Sequence, residues 1–125
     1  MKSVIRRLPD SELVVMQALW QCEPPVSRAE LEQKLLPEHP MAQTTLLTLL
    51  TRLVEKGFVE ARKEGRGNCY TPLITREDYL ASQSRRFVDQ LCGGSMSVFA
   101  NALCDSSLTR QELDELRKLL EEGAL

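Results

Sequence analysis

A chain of 125 residues with 42% hydrophobic and 27% charged side chains fits one compact domain, or a small domain with a helical appendage. Its formal charge of -2 and pI near 5.5 argue against a histone-like protein that coats nucleic acid by bulk charge. No stretch approaches the roughly 18 to 20 apolar residues of a membrane span, and Cys22, Cys69, Cys92 and Cys104 lie too far apart for a C-x-x-C pair.

The N-terminal MKSVIRRLPD has two arginines but no apolar run behind them, so no export signal is read and a reducing, cytoplasmic setting with buried or free thiols is expected. Pro9 and Asp10 open the first periodic segment. Asp10 is placed to cap a helix whose Leu13, Met16, Leu19 and Trp20 recur toward one face, and which should stop before Pro24-Pro25. In VSRAEL, Ser27 and Glu30 form a capping box, and Val26 and Leu31 stand where a hydrophobic staple would pack. That second helix ends by Pro37. After the connector HPM, a third helix runs through TTLLTLLTRLVEK to Gly57, a residue able to take the left-handed conformation that ends helices.

The period then changes. FVEARK and NCYTPLI are short and β-prone, and EGRG between them permits a tight reversal, which predicts a hairpin. Pro72 should sit at an edge or strand end of a two-stranded ribbon that nothing else extends. From Thr75, a cap, the chain reads as helical to its end. Gly93-Gly94 breaks the fourth helix, and SVFANALC makes a short fifth. The sixth is opened by the Thr109 and Glu112 capping box with a Leu108 and Leu113 staple, and carries an i, i+4 pair of Asp114 with Lys118. The predicted fold is mainly helical with a small β-hairpin: a winged helix-turn-helix over 1–74 and a C-terminal helical dimerisation domain over 75–125.

The third helix raises the functional question. Leu46, Leu49, Leu50 and Leu53 share one side of the wheel, while Thr44, Thr48, Thr51 and Glu55 lie opposite, flanked by Leu47, Thr45 and Arg52. Threonine is a mediocre helix former because its branched side chain loses rotamer freedom. A row of it offers hydroxyls and methyls on short stems, suited to phosphates and base edges while the backbone comes close. The bland alternative is that these hydroxyls bond back to carbonyls one turn earlier.

Order and spacing favour the first reading. Three compact helices followed by a glycine-tipped ribbon with Arg62, Lys63 and Arg66 is the sequence of a winged helix, whose third helix enters the major groove. Residues 41–67 also hold five basic residues against three acids. The rival from another class is a winged helix used as a protein docking module, without duplex affinity. An enzyme is not expected: His39, the only histidine, stands between Glu38 and Pro40 with no nucleophile or carboxylate pair at recognisable spacing. Nor is a cofactor or a metal site expected among such dispersed Cys and His residues.

Four stretches, DSELVVMQALW, TLLTRLVEKGFVEARKEGRGNCYTPL, YLASQSRRFVDQLCGGS and LTRQELDELRKLLEE, resemble the penicillinase repressor, methicillin-resistance regulator and copper-transport repressor family. The pattern T-L-x-x-R-L-x-x-K-G over 48–57, the E-G-R wing and the later G-G-S carry the likeness. The resemblance implies a homodimeric repressor on double-stranded inverted-repeat operators of the TACA…TGTA type, with a C-terminal three-helix dimerisation domain. The DNA-binding set would then be Gln43, Thr44, Thr45, Leu47, Thr48, Thr51, Arg52, Arg62, Lys63 and Arg66. Such repressors often carry a Lys and an Arg early in the recognition helix, where this chain has Thr44 and Leu47.

Dimerisation makes physical sense, because one weakly charged winged helix binds duplex poorly and two held by symmetry gain effective concentration. Tyr79, Leu80, Phe87, Leu91, Val98, Phe99, Leu103, Leu113, Leu116 and Leu120 are the candidate apolar surface. The resemblance further implies relief through a membrane sensor protease pathway, with cleavage after an asparagine; Asn101 falls at the matching place. Ala102 follows it where the best-known members have Phe, and a plain polar role for Asn101 stays open. The paired Cys-x-Cys motifs of copper-responsive members are missing from the tail RKLLEEGAL, so a copper sensor of that design is not expected.

Overall fold

The computed structural model describes residues 5–122; residues 1–4 and 123–125, at the outer ends of MKSVIRRLPD and RKLLEEGAL, lie outside. The described elements run α1 (Asp10–Trp20), β1 (Val26–Ser27), α2 (Arg28–Leu35), α3 (Gln43–Glu55), β2 (Val59–Glu64), β3 (Gly67–Pro72), α4 (Arg76–Leu91), α5 (Met96–Asp105) and α6 (Arg110–Glu121). The chain is mainly helical with one antiparallel sheet, as predicted, and divides into two units, Met1–Ser82 and Gln83–Leu125. The boundary falls inside α4, eight residues beyond the end of the expected winged-helix segment.

Local chemistry accounts for most helix ends. Ser27 accepts from the Glu30 amide at 3.2 Å while the Glu30 carboxylate reaches back to the Ser27 backbone. Thr109 and Glu112 repeat the device on α6, and Thr75 Oγ1 accepts from the Asp78 amide at 3.0 Å. Asp10 does not cap α1. It is the first helical residue, and Pro9 holds the N-cap position without a side-chain bond. At the end of α3, Gly57 takes φ +81°; its amide donates to Val54 and the Phe58 amide donates to Leu53, the paired bonds of a Schellman motif. Leu53 and Phe58 are both buried, so the glycine turns the chain directly from helix into core strand.

The first unit has a closed core. Val15, Met16 and Leu19 of α1, Leu31 of α2 and Leu46, Leu50 and Leu53 of α3 are fully buried with Val26, Phe58 and Val59. Each such side chain contributes about 1.5–3 kcal/mol on leaving water. The sheet order is β1-β3-β2, so the hairpin is extended after all: Val26 pairs with Tyr70 and Ser27 with Cys69. Burial drives this pairing, because it sinks Val26 beneath the helices. Pro72, opposite Val59 at the end of β3, lies beyond the reach of β1 and needs no amide for it.

Tyr79 corrects the expected dimer surface. Its ring is 4% exposed, 5.8 Å from that of Trp20 and 5.9 Å from that of Phe58, and its hydroxyl accepts from the buried Leu8 amide at 2.9 Å. Trp20 in turn donates its indole N–H to the Ile74 carbonyl at 2.9 Å. The first turn of α4 is thus part of the winged-helix core.

The second unit is built differently. None of the residues of α5 or α6 is buried, although Phe87 and Phe99 meet edge to face at 5.9 Å. Asp114 pairs with Arg117, at 4.0 Å, in place of the expected Lys118. Among the described residues no helix is long and apolar enough to cross a membrane.

Candidate nucleic-acid interface

The α3 leucines fix which side chains face out. With Leu46, Leu49, Leu50 and Leu53 turned into the core, Gln43, Thr44, Thr45, Leu47, Thr48, Thr51 and Arg52 are all exposed. Thr44, Thr45, Thr48, Leu49 and Arg52 line a shallow open hollow. Glu55, exposed on the same side one turn beyond Thr51, would repel a phosphate, which confines any contact with DNA to the first three turns.

The back-bonding weighed from sequence is present at two of the threonines, and it leaves part of each side chain facing outward. Thr48 Oγ1 donates to the Thr44 carbonyl and Thr51 Oγ1 to the Leu47 carbonyl, each at 2.9 Å. The hydroxyl protons point back along the helix. The oxygen lone pairs and the methyl groups still face outward.

The helix start adds a feature the sequence reading missed. Ala42 holds the N-cap position of α3 with no side-chain bond, and no acid lies in the first turn. The leading amides and the positive end of the helix dipole are therefore open to an anion. The signal is Ala42-Gln43, where α2, α4, α5 and α6 are opened by Ser or Thr.

The basic residues sort themselves by partner. Lys56 is not a surface charge for DNA: its ammonium lies 2.5 Å from Glu12 of α1, a carboxylate whose side chain is 3% exposed. Arg62 pairs with Glu60, its neighbour on one face of β2, while Lys63 falls on the other face. Arg52, Lys63 and Arg66 form no ion pair among the described residues. Glu64 and Gly67 close the hairpin around Gly65 and Arg66. A positive φ of 61° at Gly65 but not at Arg66 is the pattern of a II′ turn, which carries Arg66 at the tip of the wing. Cys69 on β3 donates to Glu64 at 3.4 Å, and burial together with that carboxylate pushes its thiol up, so it stays protonated at neutral pH.

In the second unit Phe87, Leu91, Val98, Leu116 and Leu120 are exposed, Leu91 to 74%, and Phe99, Leu103 and Leu113 are half-buried. Leu80, in the first unit, is exposed as well. Asn101 and Ala102 lie exposed in the middle of α5. All four cysteines are free, and His39 is exposed on its connector. Among the described residues no cluster of His, Cys, Asp or Glu could hold a metal ion.

Known proteins resemble this chain in sequence and, over the first part, in fold. The penicillinase repressor of Bacillus licheniformis is 33% identical over 119 residues, covering 94% of this chain and 92% of its own. The methicillin resistance regulatory protein MecI of Mammaliicoccus sciuri is 26% identical over 114 residues, covering 90% and 92%. Among solved structures, the Bacillus licheniformis BlaI monomeric form in complex with the blaP half-operator superposes with a TM-score of 0.51 at 35% identity, over 63% of this chain and 94% of that one. The model of the penicillinase repressor family matches residues 8–122, and the chain belongs to that family, whose members are transcriptional repressors and not enzymes.

Proposed function

We propose that this chain is a cytoplasmic homodimeric repressor that binds an inverted-repeat operator, setting α3 in the major groove and Arg66 of the wing against the backbone. The observation that carries the reading is the outward face of α3: uncapped at its start, free of acids for three turns, and matched over the winged-helix segment by a relative solved on half-operator DNA. Arg52, Lys63 and Arg66 supply phosphate contacts, and Gln43, Thr44, Thr45, Leu47, Thr48 and Thr51 face the bases.

The exposed leucines and phenylalanines of the second unit support dimerisation. A segment whose α5 and α6 leave no residue fully buried gains stability by covering that surface with a second copy. Two subunits then place their α3 helices about one helical turn of DNA apart, roughly 34 Å. Cleavage between Asn101 and Ala102, triggered through a membrane sensor protease, would split α5 and release the operator. The absence of buried residues in α5 makes its local unfolding, which a protease requires, inexpensive.

Electrophoretic shifts of an inverted-repeat duplex and of its single half-site, measured across a salt series, test the reading. Expected are a steep loss of affinity with salt and much tighter binding of the full repeat by a protein that sediments as a dimer. A monomer that ignores duplex DNA at every salt concentration, yet retains its fold, would mark a protein docking module instead.

A further inference from the structure

Helix α3 is seated on the core by two kinds of contact that differ in what they fix. Leu46, Leu49, Leu50 and Leu53 hold it by burial, which has no preferred direction and specifies the angle of the helix only as closely as the side chains interlock. Side chains reach about 5 Å from a helix axis, so a rotation of roughly 20° would carry those of the outer face about 1.7 Å sideways. A recognition surface works only when its groups are held within about 0.5 Å of their productive positions. Burial alone leaves the register of the outer face loosely set.

The second contact is directional. Lys56, the C-cap residue of α3, places its ammonium 2.5 Å from the carboxylate of Glu12 in the first turn of α1, so each charge also complements the dipole of its own helix. Glu12 is the one charged side chain buried among the described residues. Thr48 and Thr51 spend their hydroxyl protons within α3, and among the described residues the Lys56 bond is the sole side-chain hydrogen bond from α3 or its cap to another element. Against an apolar pair of equal volume, a buried ion pair contributes little to stability; its best-attested use is to fix register. We propose that Glu12 and Lys56 act as positioning residues, setting the rotation and axial position of α3 on α1 so that the outward face meets an operator in one register. The inference rests on the DNA-binding reading above and adds to it two residues, remote from the reading face, that determine how sharply that face discriminates.

The test compares the full wild-type chain with Glu12→Leu combined with Lys56→Met, which roughly keeps the volume at the site and exchanges the directional contact for an apolar one. Each protein is titrated with a duplex that the wild type selects from a randomised library and with an unrelated duplex of the same length, at several salt concentrations. The double variant should unfold at a denaturant concentration close to that of the wild type. It should bind the unrelated duplex with unchanged affinity and salt dependence, since Arg52, Lys63 and Arg66 are untouched. Its preference for the selected duplex should fall about tenfold or more, a loss that a purely structural role would not produce in a chain of unchanged stability. Lys56→Arg, which keeps a cation against Glu12, should hold the preference. Preference retained within about threefold by the double variant, an equal loss on both duplexes, or a loss in Lys56→Arg as large as in the apolar pair overturns the positioning role and leaves the DNA reading standing. A wild-type chain that enriches and shifts no duplex removes the DNA reading and this inference together.

Discussion

The two units of this molecule hold similar proportions of leucine and reach different outcomes. Up to Ser82, helices and sheet close over one another until Val15, Met16, Leu19, Leu46, Leu50 and Leu53 lose contact with water. From Gln83 onward, α5 and α6 are well capped yet bury none of their residues, and Phe87, Leu91, Val98, Leu116 and Leu120 remain open. Good caps and an amphipathic stripe are therefore not sufficient for a core. A core also needs layers facing the stripe from several directions, and two short helices and half of a third supply too few. The first unit has the means to fold alone, whereas the second has a surface suited to a partner.

That contrast can be broken most forcefully at Tyr79. Replacing it with alanine removes a buried ring from between Trp20 and Phe58 and strands the Leu8 amide, and should cost the first unit about 3–5 kcal/mol in chemical denaturation. A loss no larger than that of an exposed residue would return Tyr79 to the surface. Lys56→Ala comes next, at about 3 kcal/mol, because it leaves the Glu12 carboxylate buried without its partner. The double change Glu12→Leu with Lys56→Met should restore most of that stability, which a melting comparison of single and double variants would reveal.

In the second unit, Phe87→Asp should leave the unfolding of the winged helix unchanged while weakening the proposed dimer by about 2 kcal/mol, roughly thirtyfold in its dissociation constant. Sedimentation at several concentrations measures this, and an unaltered assembly would remove Phe87 from the interface. Arg66→Ala, at the wing tip, should reduce binding to all duplexes by about 1 kcal/mol and lower the salt slope by about one unit. Equal losses on every sequence for Arg66→Ala and Thr48→Ala would show that the division between backbone and base contacts is wrong. The smallest change belongs to Arg28→Ala. Its i, i+4 pair with Glu32 is solvent-exposed enough that stability should move by no more than about 0.5 kcal/mol.

The legible parts of the fold were those governed by neighbours three or four residues apart. The capping boxes at Ser27 and Thr109, the Thr75 cap, the glycine end of α3 and the reversal at Gly65 all stand where the sequence places them. Asp10 misled because Pro9 already opens α1, so a capping residue became the first helical one. The outward face of α3 was legible too, since its leucine stripe leaves the threonines no other side. Less visible was how the basic residues would be spent. Composition counts Lys56 and Arg62 as free positive charge, but Glu12 and Glu60 hold them. The open start of α3 is written in Ala42, whose methyl cannot accept from the leading amides as Ser, Thr, Asp or Asn would.

Sequence alone determined the number and order of the described helices, most of their ends and the hairpin, because backbone hydrogen bonding and side-chain period act over one or two turns. Tertiary structure alone decided that Tyr79 belongs to the core, that Lys56 is an internal tie and that β1 joins the sheet. These rest on partners 71 residues apart for Tyr79 and Leu8, and 44 apart for Lys56 and Glu12. Contacts of that separation form only where packing brings the chain together, and no local pattern records which residue will be waiting there.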